Sequence, residues 1–467
     1  MFGAIERRFP YIWAILMRLG IVVGVVLASL MIGRMAVRLG QPEVLLAAGF
    51  LPAAGLVLVR YARLEHGVLG IILVAAVVRF SLPTGTHSRI PMSLVVTVGV
   101  LTLWIGRMLV IDKRLWLKSS STNIPLLGFI FTCVISLFWS NVFRDMLVVV
   151  WDSWPFVQLG GLMVMVLLPA AFLLTVSLLE DVKWIFWLTV IMLAVGTVDI
   201  VGYYLHVPVR FLQVRPLFPT WCVCLAYALA LFNHRLPWGV RLLLLLLAGA
   251  WFYRVFVVES SWLSGWVPAL SAIGLISILR SKKLLLVLAV AGVIYVVLNW
   301  ATFDALFQEE SEVSGLTRLN AYEHNWRVTG KHLLFGVGPA GYAAYYMTYF
   351  PMEAMASHST YIDILSQTGI VGLFFLLWFF FALFRTCWKL WLRAKGRADF
   401  VEAFAVAAVG GCVAMVLSAG LGDWIVPFVY TQTIQGFDYA AYTWVLLGAA
   451  VGLYHVIADP GGVEASA

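Results

Sequence analysis

The stretch SHSTYIDILSQTGIVGLFFLLWFFF, residues 357–381, sets the architecture. From Thr368 it runs apolar and uncharged to Phe384, and about 20 such residues carry a helix across a bilayer. The rest of the 467-residue chain has the same character: 63% of its residues are hydrophobic and only 12% are charged, and the mean hydropathy is +0.97. Soluble domains carry about 25% charged residues. The chain therefore reads as an all-α polytopic membrane protein, with His358 at the lip of a membrane helix.

The same template gives about fourteen spans. They fall near 13–33, 43–60, 67–81, 92–111, 122–141, 156–179, 184–205, 217–233, 238–256, 262–280, 283–303, 368–390, 401–421 and 437–456. The whole chain, 1–467, is then one integral-membrane domain. Basic clusters test this count. Arg7 and Arg8, Arg60 and Arg63, Lys113 to Lys118, Arg235 and Arg241, Arg280 to Lys283, and Arg385 to Arg397 all fall on one side, which the positive-inside rule makes cytoplasmic. Both termini are expected there. The longest connection, 304–367, then faces outward before the third-last helix, as a large and partly helical loop carrying His358. The net charge of +8 needs no nucleic acid to explain it. The five cysteines lie in or beside apolar runs without zinc-ligand spacing, so they read as packing residues.

Outward cations need their own reason. Arg210 and Arg215 precede the eighth span, Arg254 ends the ninth, and Arg318, Arg327 and Lys331 lie in the long loop. The planar fork of arginine suits phosphate oxygens, so an anionic headgroup or pyrophosphate is one reading. The other is that each arginine caps a helix, snorkels, or pairs with an acid such as Glu323. LLFGVGPAGY, 333–342, lacks the Gly-Lys-Ser/Thr of a phosphate loop, so its glycines read as a tight turn returning the chain toward His358. The imidazole of His358 can accept a proton near neutrality. Asp363, five residues on, can orient it only if the local helix is irregular. Asp199 is an acid inside the seventh span, hence a functional suspect or a partner of the arginine loop. No outward metal-ligand pattern or bound cofactor is indicated.

TRLNAYEHNWRVTGKHLLFGVGPAGY followed by SHSTYIDILSQTGIVGLFFLL resembles the O-antigen ligase and Wzy-type polymerase superfamily of bacterial cell-surface polysaccharide enzymes. The correspondence runs through Arg318, Trp326, Phe335 to Tyr342, His358, and Gly369 to Gly372. VRPLFPTWCVCLAYALA is similar to that family's arginine segment and maps its arginine to Arg215. The family's Asn-Pro-Asn is absent, Ala340 replaces a glycine, and Ser260 to Trp266 lacks an expected arginine.

The resemblance implies glycosyl transfer at the periplasmic face of a bacterial inner membrane. A saccharide would pass from an undecaprenyl-pyrophosphate-linked donor to a hydroxyl on a glycolipid or glycan acceptor, without metal and with inversion. His358 would be the base, and Arg215 and Arg318 would hold the pyrophosphate. Arg210, Arg254, Arg327, His324 and Tyr361 would bind substrate. A polymerase of the same superfamily is the nearer alternative. A lipid or polysaccharide transporter, with proton coupling at His358 or Asp199, is the alternative from another class.

Overall fold

The computed structural model describes residues 63–84, 88–209, 211–212, 214, 217–259, 263–309, 316–351 and 357–458. Two compact units are present: residues 1–64 with 99–118, and residues 65–98 with 119–467. In the first, the described part is largely the second half of helix α2, Met92–Val110, followed by a turn in which the indole of Trp116 donates to Asp112 at 3.1 Å.

The second unit is a helical bundle. It opens with α1, Leu64–Val77, and a short antiparallel pair, β1 (Ser81–Pro83) and β2 (Arg89–Pro91). Then come α3 (Asn123–Val142), α4 (Trp154–Leu178), α5 (Val182–Tyr204), α6 (Phe218–Phe232) and α7 (Trp238–Tyr253), which runs into a π-helical turn, Arg254–Val258. The sequence continues through α8 (Leu263–Arg280), α9 (Lys282–Leu298), α10 (Trp300–Glu309), α11 (Leu316–Thr329) and α12 (Gly341–Tyr349). It closes with α13 (Thr360–Ala394), α14 (Phe400–Leu421), the single turn α15 (Val429–Gln432) and α16 (Gly436–Ala458).

Among the described residues, eight helices are long and apolar enough to cross a membrane. Eight of the fourteen expected spans correspond to these helices. The spans expected at 13–33 and 43–60 lie outside the described residues. Those at 67–81, 217–233 and 262–280 correspond to shorter apolar helical stretches, Leu64–Val77, Phe218–Phe232 and Gly265–Arg280. The one at 283–303 is broken, because α9 and the helix that follows meet at 83° around Asn299. At about 1.5 Å per residue, α6 is roughly 22 Å long, short of a 30 Å core. It is nevertheless buried along nearly its whole length by protein, so nothing requires it to match the lipid.

Helices α4, α14 and α16 are the centre of the bundle, each with 78% of its apolar window buried, against 17% for Trp238–Val258 at the periphery. Small residues allow the close approach. Gly448 and Gly452 lie four apart on α16, and a Cβ on either would meet backbone of α4 or its C-cap, at 2.9 Å from Phe172 O and 3.3 Å from Leu179 O.

The two ends of this unit differ in chemistry. At one end the connections are short and the helices start on side-chain caps: Asp181 accepts from Lys183 N (2.8 Å), Ser281 from Lys283 N (3.2 Å) and Asp399 from Val401 N (3.0 Å). Each such cap satisfies an otherwise orphaned N–H. The basic residues gather here. Arg235 and Arg397 share Asp399 at 3.7 and 3.1 Å, His234 N donates to Ala398 O (2.9 Å), and Arg280 reaches His234 (3.4 Å). The long, polar connections gather at the other end.

Candidate functional site

At the loop-bearing end, contacts between distant segments assemble one surface. Tyr349 donates to Asp145 (2.6 Å), Thr360 N donates to Gly422 O (3.1 Å), Gln435 reaches Ser81 (3.3 Å), and Arg79 donates to Leu212 O (2.8 Å).

The glycine turn 333–341 is fitted into a break in α13. At Gly369 the backbone turns to φ 69°, ψ −171°, so the helix there is not continuous. The carbonyls this frees accept from the turn, Ser366 O from Val337 N (2.8 Å) and Gln367 O from Gly338 N (3.0 Å). In return Ile370 N donates to Leu333 O at 2.8 Å. The side chain of Gln367 accepts from Ala340 N (2.8 Å), and Ser136 on α3 donates to Phe335 O (2.6 Å). Backbone groups that a broken helix would otherwise leave unpaired in an apolar bundle are thus satisfied by the turn. Gly336 and Gly338 have positive φ, and Ala340 adopts the same left-handed region at 58°. The turn is therefore structural, as its sequence suggested, and its partner is the helix break rather than a phosphate.

His358 follows from this arrangement. Its φ is 49°, a region sparsely populated by non-glycine residues and often found where function requires it. Both neighbours are buried and pinned. Ser357 donates to Asp363 (2.6 Å) and accepts from Ser359 N (3.2 Å), while Thr360 Oγ1 donates to Gly422 O (2.9 Å). The two serines face inward and His358 is exposed between them. Asp363 therefore acts on the backbone around the histidine, through Ser357, and not on the imidazole.

A second feature is a cavity of about 660 Å³ lined by Arg79, Asp199, Tyr203, Arg254, Gln435 and Tyr439, with Val207, Pro208, Val209, Leu212 and Val214. Arg254 stands on the π-helical turn, a distortion frequent at functional sites. Its guanidinium is bound by Asp199 (2.9 Å) and Glu259 (3.2 Å) and lies over the Tyr203 ring at 4.3 Å. Asp199 thus pairs with Arg254, at the end of the ninth expected span; Arg210 and Arg215, of the arginine loop it was expected to contact, lie outside the described residues.

A third feature is a cavity of about 430 Å³ edged by Asp145, Arg327, Lys331, Tyr345, Tyr349 and Phe350. Here the Tyr349 hydroxyl holds the Asp145 carboxyl below its ordinary pKa. The same bond, followed by burial, pushes the Tyr349 phenol up to about 12. His332 lies against Tyr345, Nε2 to hydroxyl 3.1 Å, and burial lowers its pKa.

The remaining expected residues are dispersed. Arg210 and Arg215 lie outside the described residues. Arg318 is half-buried on α11, Arg327 pairs with Glu323 at 2.6 Å, and His324 is buried against Phe350 with ring centroids 4.4 Å apart. Tyr361 turns its hydroxyl to Val416 O, 2.7 Å away. Arg254 and Arg327 line different cavities, and His358 lines neither of these two. Sequence reasoning missed Arg79, Gln435, Tyr439 and Asp145. Arg79 was absorbed into a span expected to reach residue 81, whereas α1 ends at Val77.

A family model described as O-antigen ligase matches residues 221–377. This segment of the chain is similar to the O-antigen ligase family. No curated protein matches the chain. The O-antigen ligase segment runs from α6 to the middle of α13, so it contains Arg254, the glycine turn, His358 and the break at Gly369, but neither Arg79 nor Tyr439. The family implies a glycosyltransferase-type membrane enzyme that handles a lipid-linked glycan and an acceptor.

Proposed function

We propose that the protein transfers a saccharide from an undecaprenyl-pyrophosphate donor to an acceptor hydroxyl, on the periplasmic side of a bacterial inner membrane. The observation that carries this reading is His358, held in a left-handed backbone conformation and exposed inside the O-antigen ligase segment. The segregation of basic residues to the opposite end supports a periplasmic site, since the positive-inside rule puts that basic end in the cytoplasm.

In the proposed reaction His358 accepts the acceptor's hydroxyl proton as the oxygen bonds to the anomeric carbon. The bond from that carbon to the pyrophosphate breaks, and its electron pair leaves on the pyrophosphate. Attack opposite the leaving group inverts the anomeric centre. Proton transfer of this kind contributes typically about 10²–10⁴-fold. The growing charge on the leaving group is met by arginines, with Arg254 and Arg79 in one cavity and Arg215 and Arg318 assigned from the family pattern. Cations prearranged where charge develops stabilise the transition state without reorganising. Arg327, His324 and Tyr361 would bind the glycan, and a single-repeat acceptor would make the same chemistry a polymerase.

The test is complementation of cells lacking the gene with wild type, His358→Ala or Arg254→Gln at matched protein levels. Loss of surface glycan with accumulation of the lipid-linked precursor supports transfer. Long accumulated chains indicate a ligase and single repeats a polymerase. Normal glycan in both variants would remove the transferase reading and favour transport.

A further inference from the structure

At the basic end of the bundle a cavity of about 230 Å³ lies between α13, α16 and the segment Ser119–Ser121. Arg385 and Lys389 line it, one helical turn apart on α13 and both exposed. Like charges at this spacing repel, yet neither cation meets a carboxylate among the described residues. Their neighbours at the same end are paired: Arg235 and Arg397 share Asp399, and Lys183 holds Asp181 at 2.8 Å. The other polar groups lining the cavity are hydroxyls of serine, Thr386 and Tyr454, and the imidazole of His455. Each of these can donate a hydrogen bond, and none is an acid. A cavity with two unpaired cations, neutral hydroxyl and imidazole groups and no carboxylate suits an anion.

The setting indicates which anion. Arg393 lies over the Tyr454 ring at 4.3 Å, and Lys395 over Trp391 at 5.4 Å. Tryptophan and tyrosine mixed with basic residues mark the headgroup level of a membrane. On the bilayer side of the cavity, Phe374, Trp378 and Phe381 follow the same helical face as Arg385 and Lys389, and all three are exposed. Basic pockets between membrane helices on the cytoplasmic side suit anionic lipid headgroups.

We propose that this cavity binds the phosphate of an anionic phospholipid, whose acyl chains lie along Phe374, Trp378 and Phe381. The site stands apart from the glycan-transfer reading and does not depend on it.

The test uses the purified full-length chain in neutral detergent. Phosphatidylglycerol, phosphatidylcholine and inorganic phosphate are titrated separately, with native mass spectrometry and thermal stability as readouts. Phosphatidylglycerol is expected to bind and stabilise, and phosphatidylcholine to do neither. Arg385→Gln/Lys389→Gln is expected to weaken phosphatidylglycerol roughly thirtyfold, the weight of two basic residues beside an anionic lipid. Lys282→Gln/Lys283→Gln, at the same end but outside the cavity, should leave binding unchanged. If the double variant does not fold, Ser121→Ala serves instead, with a loss of about fivefold for one hydrogen bond. Equal binding by the cavity variants and wild type would overturn the site. Saturation by inorganic phosphate, with no preference between the two lipids, would overturn the lipid assignment.

Discussion

Replacing Gly369 by alanine should unseat the glycine turn from the broken helix. At φ 69°, ψ −171° the residue occupies a region that is essentially glycine-only, and forcing an L-residue into such a region costs about 1–3 kcal/mol. A Cβ there would run into the carbonyl of Leu334 and come within 2.6 Å of Phe335 N. Both are backbone atoms, so no side chain can swing aside. Displacing that peptide breaks the bond from Val371 N to Leu334 O and strains the one from Ser136 to Phe335 O, at about 1 kcal/mol each. The expected loss is roughly 3–5 kcal/mol. The control is Gly249→Ala in α7, where a Cβ meets nothing within 4 Å. There helix propensity predicts a neutral or slightly favourable change of up to about 1 kcal/mol. Unfolding in detergent, followed by tryptophan fluorescence, compares the two, and limited proteolysis reports exposure of residues 330–340. Equal stability and equal protease resistance of the two variants would refute the turn's role.

Further outcomes follow from single contacts. Arg254→Met leaves Asp199 and Glu259 without their cation and should cost about 3 kcal/mol; Arg254→Met/Asp199→Leu should recover much of that stability but not glycan transfer, which separates packing from function in a double-mutant cycle. His332 has a lowered pKa in the fold, so the unfolded chain takes up its proton first as pH falls. Its burial therefore costs stability progressively below pH 6.5, and His332→Gln should flatten that acid limb in a pH series of melting temperatures. The depressed Asp145 works at lower pH: its contribution is full above the ordinary carboxylate value of 3.8 and is lost as pH falls through the folded value. Tyr349→Phe should weaken that dependence without abolishing it, since Leu147 N still donates to Asp145, measured in the same series. Ser357→Ala releases the backbone at His358 and should lower kcat more than KM, whereas a purely structural role would reduce the amount of folded protein and leave both constants unchanged.

Much of the architecture was legible because a membrane imposes simple rules. Every expected span within the described residues overlaps a helix, since apolar runs have few alternatives in lipid. An apolar run does not by itself fix the length or continuity of a helix. Helix α6 is buried by protein and escapes the length rule, and Asn299 breaks a run that composition reads as continuous. The glycine turn was legible as a turn, but its partner was not, because pairing with Ser366 and Gln367 depends on a helix break about thirty residues away. The strain at His358 was equally hidden, as Ser-His-Ser carries no glycine to announce a positive φ. Arg79 illustrates a boundary error of a few residues that concealed a cation facing the larger cavity.

The most direct test of the account is glycan transfer by the purified protein in liposomes, with an undecaprenyl-pyrophosphate-linked glycan and an acceptor glycolipid, comparing wild type with His358→Ala at matched folding. The account predicts release of undecaprenyl pyrophosphate by wild type and at least a roughly hundredfold lower rate for His358→Ala, with donor binding retained. Equal rates for the two proteins would contradict it.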